Sequence, residues 1–172
     1  EGEIILRAAA RAQKATGVPI STHTWALERV GEQQVAIFKD EGVDLSRVYI
    51  GHSNDTTDVD YLVGLLRQGV WIGLDRYPGR PGMPTPDWEG RTATAKRLID
   101  AGYGDRIMLS HDWAVNLVIM PRAAGAERAA LNPDHYLFIT RRVLPRLREL
   151  GVSARDVEKL NNDNPRRFLE GA

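Results

Sequence analysis

The sequence contains no cysteine, which excludes disulfide bonds and thiolate metal sites. It also lacks an excess of charge, because 23 Lys and Arg residues balance 23 Asp and Glu residues. This balance gives no electrostatic basis for capturing nucleic acid or an anionic membrane. No apolar run approaches the roughly 20 residues that span a bilayer, and no signal peptide is visible. We therefore expect a cytoplasmic protein that binds neither nucleic acid nor membrane.

A recurring unit organises the chain: a helical stretch, a glycine, a short turn, and an apolar run that stops at a polar residue. The predicted helices span residues 3–16, 31–41, 58–68 and 91–101, and the apolar runs span residues 18–22, 48–51, 70–74 and 107–110. Glycine just past a helix adopts the left-handed conformation that other residues disfavour. Short apolar runs suit strands buried on both faces, and their alternation with helices predicts a parallel sheet.

Beyond the fourth strand, we predict a loop at 113–134, a helix at 135–150, and a last helix from near Ser153 with Asp156 in a capping box. Long loops, 77–90 and 113–134, directly follow strand ends, where (β/α)8 barrels place their substrate loops. The 172 residues are enough for one hydrophobic core, and no internal linker is visible. We expect residues 1–172 to form a single domain.

Polar residues stand at the ends of the four predicted strands: His23, His52, Asp75 and Asp112. Parallel strands in a barrel deliver their last side chains to one rim. Imidazole and carboxylate groups are common ligands of zinc and similar metals. Each residue alone could equally form a turn or a cap, but the four together favour a metal site. His111 should face away from the rim, because neighbouring strand residues point to opposite sides.

Several of these segments resemble the phosphotriesterase family of the amidohydrolase superfamily. They are Ser21-Thr22-His23-Thr24, Gly51-His52-Ser53-Asn54-Asp55-Thr56, Gly73-Leu74-Asp75-Arg76-Tyr77, Ser110-His111-Asp112-Trp113 and Asp163-Asn164-Pro165-Arg166-Arg167-Phe168. The resemblance covers essentially the whole chain. It implies an α/β fold, namely a (β/α)8 TIM barrel of which this chain is the C-terminal half, from helix 4 through helix 8.

The resemblance also implies a hydrolase with two divalent metal ions, most simply zinc, with cobalt, iron or manganese as alternatives. His23 and His52 would bind the more exposed ion. Asp112 would bind the more buried ion and orient or deprotonate a bridging hydroxide. Two metal ions can lower the pKa of a shared water enough to supply hydroxide at neutral pH.

The residue after Asp75 separates two branches of the family. Efficient organophosphate hydrolases carry a histidine there, whereas Arg76 resembles the lactonase branch. That branch hydrolyses lactones of the acyl homoserine type and has side activity on phosphotriesters. Asp55 matches the relay aspartate. Because arginine does not titrate in proteins, we expect Arg76 to pair with Asp55 or to place a substrate oxygen. A plain structural salt bridge is the open alternative.

The residues expected to contact substrate are Arg76, Tyr77, Trp88 and Trp113. The second long loop also carries apolar residues at Val115, Leu117, Val118, Ile119 and Met120. Binding pockets are mostly apolar, so these residues could line an acyl-chain pocket. They could equally form a patch for the expected homodimer.

Pieces of the family's metal site are absent. The sequence has no His-x-His pair, and Lys14 lies in a predicted helix rather than at a strand end. A closed barrel needs eight strands and typically about 250 residues. We expect a partner segment: an N-terminal half of the barrel, a cleaved companion or a second copy. Alone, the chain should bind metal weakly and be inactive. A phosphotriester or other ester hydrolase, and a non-catalytic barrel remnant, are the alternative functions.

Overall fold

The structure, a computed structural model, describes residues 2–113 and 122–171. Within these ranges, α-helices and short strands alternate along the chain. They are α1 (Gly2–Thr16), β1 (Ile20–Thr22), α2 (Val30–Asp40), β2 (Val48–Ile50), α3 (Val59–Leu66), β3 (Trp71–Leu74), α4 (Trp88–Leu98), β4 (Ile107–Leu109), α5 (Arg122–Leu131), α6 (Leu144–Glu149), α7 (Ala154–Glu158) and α8 (Asn164–Glu170). Within the same ranges, no helix has both the length and the apolar character needed to cross a bilayer.

The four strands form one parallel sheet in the order β1-β2-β3-β4. Ile20 pairs with Val48, and Ile72 pairs with both Ile50 and Ile107. Each crossover contains one helix, so consecutive strands are neighbours as they are in a barrel wall. The predicted parallel sheet is therefore confirmed, and all four strands end at the same edge.

The two faces of the sheet are covered differently. One face packs against the helices and forms the main core, which includes Phe38, Val48, Ile50, Leu62, Leu65, Ile72, Leu74, Leu98, Ile107 and Val143. The opposite face carries Tyr49, Trp71 and Met108, and Phe168 of α8 packs against it. The ring of Phe168 lies 5.8 Å from the rings of both Tyr49 and Trp71. The alternation of side chains along each strand separates these two clusters.

Local signals at the helix ends act as expected. Asp58 caps α3 by accepting a hydrogen bond from the backbone N–H of Tyr61 at 3.0 Å. The hydroxyl of Ser153 accepts from the backbone N–H of Asp156 at 3.0 Å, which confirms the predicted cap of the last helix. Gly69 follows α3 with a φ of 97°, a conformation that other residues adopt only under strain.

The second half of the chain is more helical than the sequence indicated. Helix α5 lies inside the predicted loop 113–134, so that prediction was wrong for residues 122–131. Its alanine-rich sequence suggested a loop beside glycine and proline, but alanine is the strongest helix former. Helical structure also continues from Ala154 through Glu170, across Pro165. A wide helical turn, Lys159–Asp163, precedes α8, and such a turn accommodates a residue without an N–H donor.

The core side of the sheet gives a direct test of the packing. Leu62 is fully buried in α3, whereas Leu27 is 40 % exposed. We expect Leu62→Ala to lower the free energy of unfolding by about 2–5 kcal/mol, because it leaves a cavity. The matched control Leu27→Ala should cost about 0.5 kcal/mol or less. Urea titration of both variants measures the difference, and equal costs would contradict the assigned core.

Candidate active site at the carboxyl ends of the strands

The parallel sheet brings polar side chains to one rim. His52 directly follows the buried residues Ile50 and Gly51, and it has a φ of 58°. Asp112, after β4, has a φ of 44°. Positive φ is uncommon for residues other than glycine, and such backbone positions cluster at functional sites. Two of the predicted metal-site residues therefore stand on unusual backbone.

A chain of hydrogen bonds links His23, His52 and Asp75. His52 Nδ1 lies 2.9 Å from Asp75 Oδ1, and the backbone N–H of His52 donates to the same oxygen at 2.7 Å. His52 Nε2 lies 2.9 Å from His23 Nδ1, with the rings 4.5 Å apart in an edge-on arrangement. When a carboxylate accepts a hydrogen bond from the Nδ1–H of a neutral imidazole, the lone pair of Nε2 is free to accept a hydrogen bond or to bind a metal ion. Asp75 therefore orients the imidazole of His52 toward that of His23.

Tyr49 holds the other oxygen of Asp75. Its hydroxyl donates to Asp75 Oδ2 at 2.9 Å. Burial, together with the neighbouring negative charge, raises the pKa of Tyr49 well above its usual value, so the hydroxyl remains a donor. Gly73 on the adjacent strand makes room, because a Cβ there would overlap the Tyr49 ring and hydroxyl. Tyr49 was not predicted as a site residue, since nothing in its apolar run signals this contact.

A second cluster centres on Asp55. Arg76 donates from a terminal nitrogen to Asp55 Oδ2 at 2.6 Å, which confirms the expected pair. The Nε of Arg76 also donates to Asp112 Oδ2 at 3.2 Å. Arg91 donates to the remaining oxygen, Asp55 Oδ1, at 2.9 Å. The side chains of Asp55 and Arg91 are only 2 % and 1 % exposed. Two carboxylates and two guanidinium groups thus alternate and balance in charge.

Arg91 was missed by the sequence analysis, although a signal was present. Trp88, Arg91, Ala95 and Leu98 follow the spacing of one helix face. An arginine in such an otherwise apolar stripe must be buried with partners, because an unpaired buried charge is costly. The partner could not be named from the sequence, since it lies 36 residues away along the chain.

An open cleft lies beside this second cluster. Its lining includes Asp55, Arg76, Tyr77, Asp112 and Trp113. Three of the four predicted substrate contacts, Arg76, Tyr77 and Trp113, thus share one cleft. Trp88 does not line it. That residue lines a larger cleft, with Leu131 and Phe138.

His111 also lines the smaller cleft, beyond the end of β4 at Leu109. The expectation that its ring faces away from the rim stays a prediction. The Nε2 of His111 accepts a hydrogen bond from the backbone N–H of Ile139 at 3.3 Å. Burial lowers the pKa of His111, which favours the neutral ring that this bond requires.

The predicted metal ligands are only partly gathered. In residues 2–113 and 122–171, no three His, Cys, Asp or Glu side chains lie close enough together to hold one ion. His23 and His52 are adjacent, while Asp112 pairs with Arg76. Two zinc-bound nitrogens would lie roughly 3.3 Å apart, given zinc–nitrogen bonds of about 2.0–2.1 Å in a tetrahedron. The separation of 2.9 Å between the two imidazole nitrogens is close to that value, so the pair fits part of a metal site.

Comparison with known proteins agrees with this geometry. Consecutive parallel β/α units with polar residues at one rim define the class: the chain matches half of a TIM barrel. It superposes on the solved phosphotriesterase of Mycobacterium tuberculosis with a TM-score of 0.88 and 41% identity, covering 98% of this chain and 50% of that one. The profile of the phosphotriesterase family matches residues 1–169. The chain belongs to this family, as its motifs indicated.

Curated relatives agree with this assignment. The chain is 42% identical to the phosphotriesterase homology protein of M. tuberculosis over 98% of its own length and 50% of the relative's. It is 36% identical to the aryldialkylphosphatase of Saccharolobus solfataricus, with 97% and 52% covered. It is 32% identical to the N-acetyltaurine hydrolase of Dictyostelium discoideum, with 95% and 44% covered. The chain spans about half the length of these relatives, among which are named hydrolases.

The buried carboxylate of Asp55 is open to a stability test. Asp55→Asn removes the one negative charge that contacts both Arg76 and Arg91, so we expect unfolding to require about 3–5 kcal/mol less free energy. The exposed residue Asp60 on α3 supplies the control, and Asp60→Asn should change stability by about 0.5 kcal/mol or less. Denaturant midpoints at neutral pH compare the two. A change at Asp55 as small as that at Asp60 would show that the cluster contributes little.

Proposed function

We propose that the protein containing this chain is a metal-dependent hydrolase of lactones of the acyl homoserine type, with weaker activity on phosphotriesters. The observation that supports this proposal is the bridge that Arg76 makes between Asp55 and Asp112. A guanidinium group stays charged at all physiological pH values and cannot relay a proton. It can, however, hold a carboxylate in place and attract a carbonyl oxygen at the mouth of the cleft.

His23 and His52 would hold one divalent ion, and Asp112 would bind a second, with zinc as the first expectation. Asp75 would keep the Nε2 of His52 turned toward the ion through its contact with Nδ1. Bound ions of this kind supply hydroxide at neutral pH and polarise the bond under attack. The remaining ligands would come from outside the described residues.

The residues of this chain would then divide the work. Asp112 would accept the proton of the attacking water on its carboxylate. Arg76 would hold Asp112 and contact the lactone ring, and Asp55 would keep Arg76 in place. Tyr77 and Trp113 would form walls of the cleft. Addition of water to the carbonyl carbon breaks the ring carbon–oxygen bond, and the released alkoxide takes up the proton to give a hydroxy acid.

The partners of the chain are also proposals. Ile4 and Ile5 of α1 are 73 % and 68 % exposed, and Leu169 of α8 is 66 % exposed. Exposed apolar side chains of this size favour a covering partner, which we take to be the N-terminal half of the barrel. A homodimer was expected from the apolar residues Val115, Leu117, Val118, Ile119 and Met120. These lie outside the described residues, so the dimer and the acyl-chain pocket stay predictions.

A second candidate is hydrolysis of phosphotriesters as the main activity. The similarity to a relative named aryldialkylphosphatase favours it. A non-catalytic barrel remnant is the third possibility, because the described residues hold no set of three potential ligands for one ion. The following two measurements separate these functions.

Metal content tests the ligand assignment. In the complete protein loaded with zinc, His52→Ala should weaken binding at one of two sites by at least about tenfold. Elemental analysis after dialysis should then find close to one ion instead of two. The control is His135→Asn, because asparagine tolerates the φ of 45° at that position. Equal metal content in the two variants would refute the assignment, and a metal-free native protein would favour the remnant.

Substrate preference tests the branch. On a panel of acyl homoserine lactones and paraoxon-type triesters, we expect kcat/KM to be higher for lactones. Arg76→His should shift the ratio toward triesters by about tenfold, because the pocket loses a fixed charge and gains a titratable ring. Arg97→His, at an exposed position of α4, should leave the ratio unchanged. A clear preference of the native protein for triesters would reverse the assignment.

A further inference from the structure

We propose that Arg91 is a positioning residue that fixes the segment 78–87, here called the rim loop, to the end of β2. Through this anchor it would set the shape of the substrate cleft. Its effect on catalysis rests on the function proposed above, whereas its effect on the loop does not.

The guanidinium of Arg91 connects helix α4 to the end of β2 and to the rim loop. One terminal nitrogen donates to the carbonyl of Asn54 at 2.6 Å and to Asp55 Oδ1 at 2.9 Å, both just after β2. Its Nε donates to the carbonyl of Pro86 at 2.8 Å, and the other terminal nitrogen donates to the hydroxyl of Thr85 at 3.1 Å. All three guanidinium nitrogens therefore have acceptors, which come from the end of β2 and from the rim loop.

The rim loop is held in place mainly by the guanidinium of Arg91. Among the described residues, the side-chain hydrogen bonds that join residues 78–86 to other segments both come from Arg91. Gly79 also lies against the guanidinium, because a Cβ built there would meet the Nε of Arg91 at 3.1 Å. Because the described residues supply no other such bond to residues 78–86, the loop should move when Arg91 is changed.

The same loop borders both clefts. Pro78, Gly79, Arg80, Met83 and Thr85 line both of them. A shift of the loop would therefore change the shape of both clefts. Because the loop forms a wall and does not react, we expect such a shift to change substrate binding more than turnover.

Arginine is needed here for its shape as well as its charge. A lysine at position 91 keeps one positive charge but ends in a single compact ammonium group. That group can reach Asp55 or the carbonyl of Pro86, but it cannot bridge both sides as the planar fork does. Arg91→Lys therefore separates charge from anchoring.

The test compares Arg91→Lys with Arg97→Lys, a matched change at an exposed position of the same helix. Hydrogen exchange followed by mass spectrometry, on the complete protein, should show peptides covering 78–87 exchanging at least about tenfold faster in Arg91→Lys. Peptides covering β2 and β3 should keep their native rates. Arg97→Lys should match the native protein throughout. Unchanged exchange of the rim loop, or a general rise across the sheet, would overturn the proposal.

Thr85→Val provides a milder variant in case Arg91→Lys fails to fold. It removes only the bond at 3.1 Å and should raise exchange of the rim loop by a smaller factor. If Arg91→Lys does not fold, an unchanged loop in Thr85→Val would by itself refute the anchor.

Kinetics provide the functional readout. With a short-chain and a long-chain homoserine lactone, Arg91→Lys should raise KM about tenfold while kcat changes less than about twofold. The ratio of kcat/KM between the two lactones should also fall. A drop in kcat alone would contradict a role in substrate binding. Faster exchange confined to the rim loop would support the anchor even if the protein hydrolysed neither lactones nor triesters. In that case only the proposed function would be overturned.

Discussion

The arrangement of this rim depends on the ion pairs that the carboxylate of Asp55 makes with Arg76 and Arg91. This carboxylate is almost fully buried, and each of its oxygens accepts a hydrogen bond from a different arginine. Removing a charged group from water is expensive unless opposite charge compensates for it, so the three side chains stabilise one another's positions. One arginine extends from this carboxylate to Asp112 at the cleft, and the other extends to the rim loop. One buried carboxylate, that of Asp55, therefore links Asp112 at the cleft to the rim loop through the two arginines.

The neighbouring cluster uses the same principle with a different pair of groups. Asp75 accepts hydrogen bonds from the backbone N–H and the Nδ1 of His52 and from the hydroxyl of Tyr49. It thereby orients the imidazole of His52 toward that of His23. Asp75 and Arg76 are consecutive, yet they serve different clusters. The end of β3 therefore divides the rim into an imidazole side and a guanidinium side. In the proposed hydrolase, these sides correspond to metal binding and to substrate placement.

Membership of the phosphotriesterase family establishes the fold but not the substrate. Relatives at 36% and 32% identity carry names that refer to different reactions, aryldialkylphosphatase and N-acetyltaurine hydrolase. In barrels of this kind the strand ends hold the reacting groups and the loops select the substrate. The rim loop and its anchor are for this reason the part of the chain where specificity should be sought.

Much of the architecture was accessible from the sequence alone. Glycines after helices, apolar runs and polar strand ends predicted the β/α units, the parallel sheet, the family and the pair of Arg76 with Asp55, because these signals are local or belong to motifs. Tertiary structure decided the contact of Tyr49 with Asp75, the partners of Arg91 and the bond of His111 to Ile139. Each depends on which residues the strand register and the burial of α4 bring together, and on where β4 ends. These contacts join residues that are far apart along the chain, so no local sequence pattern indicates them. They form only when the sheet and its helices pack.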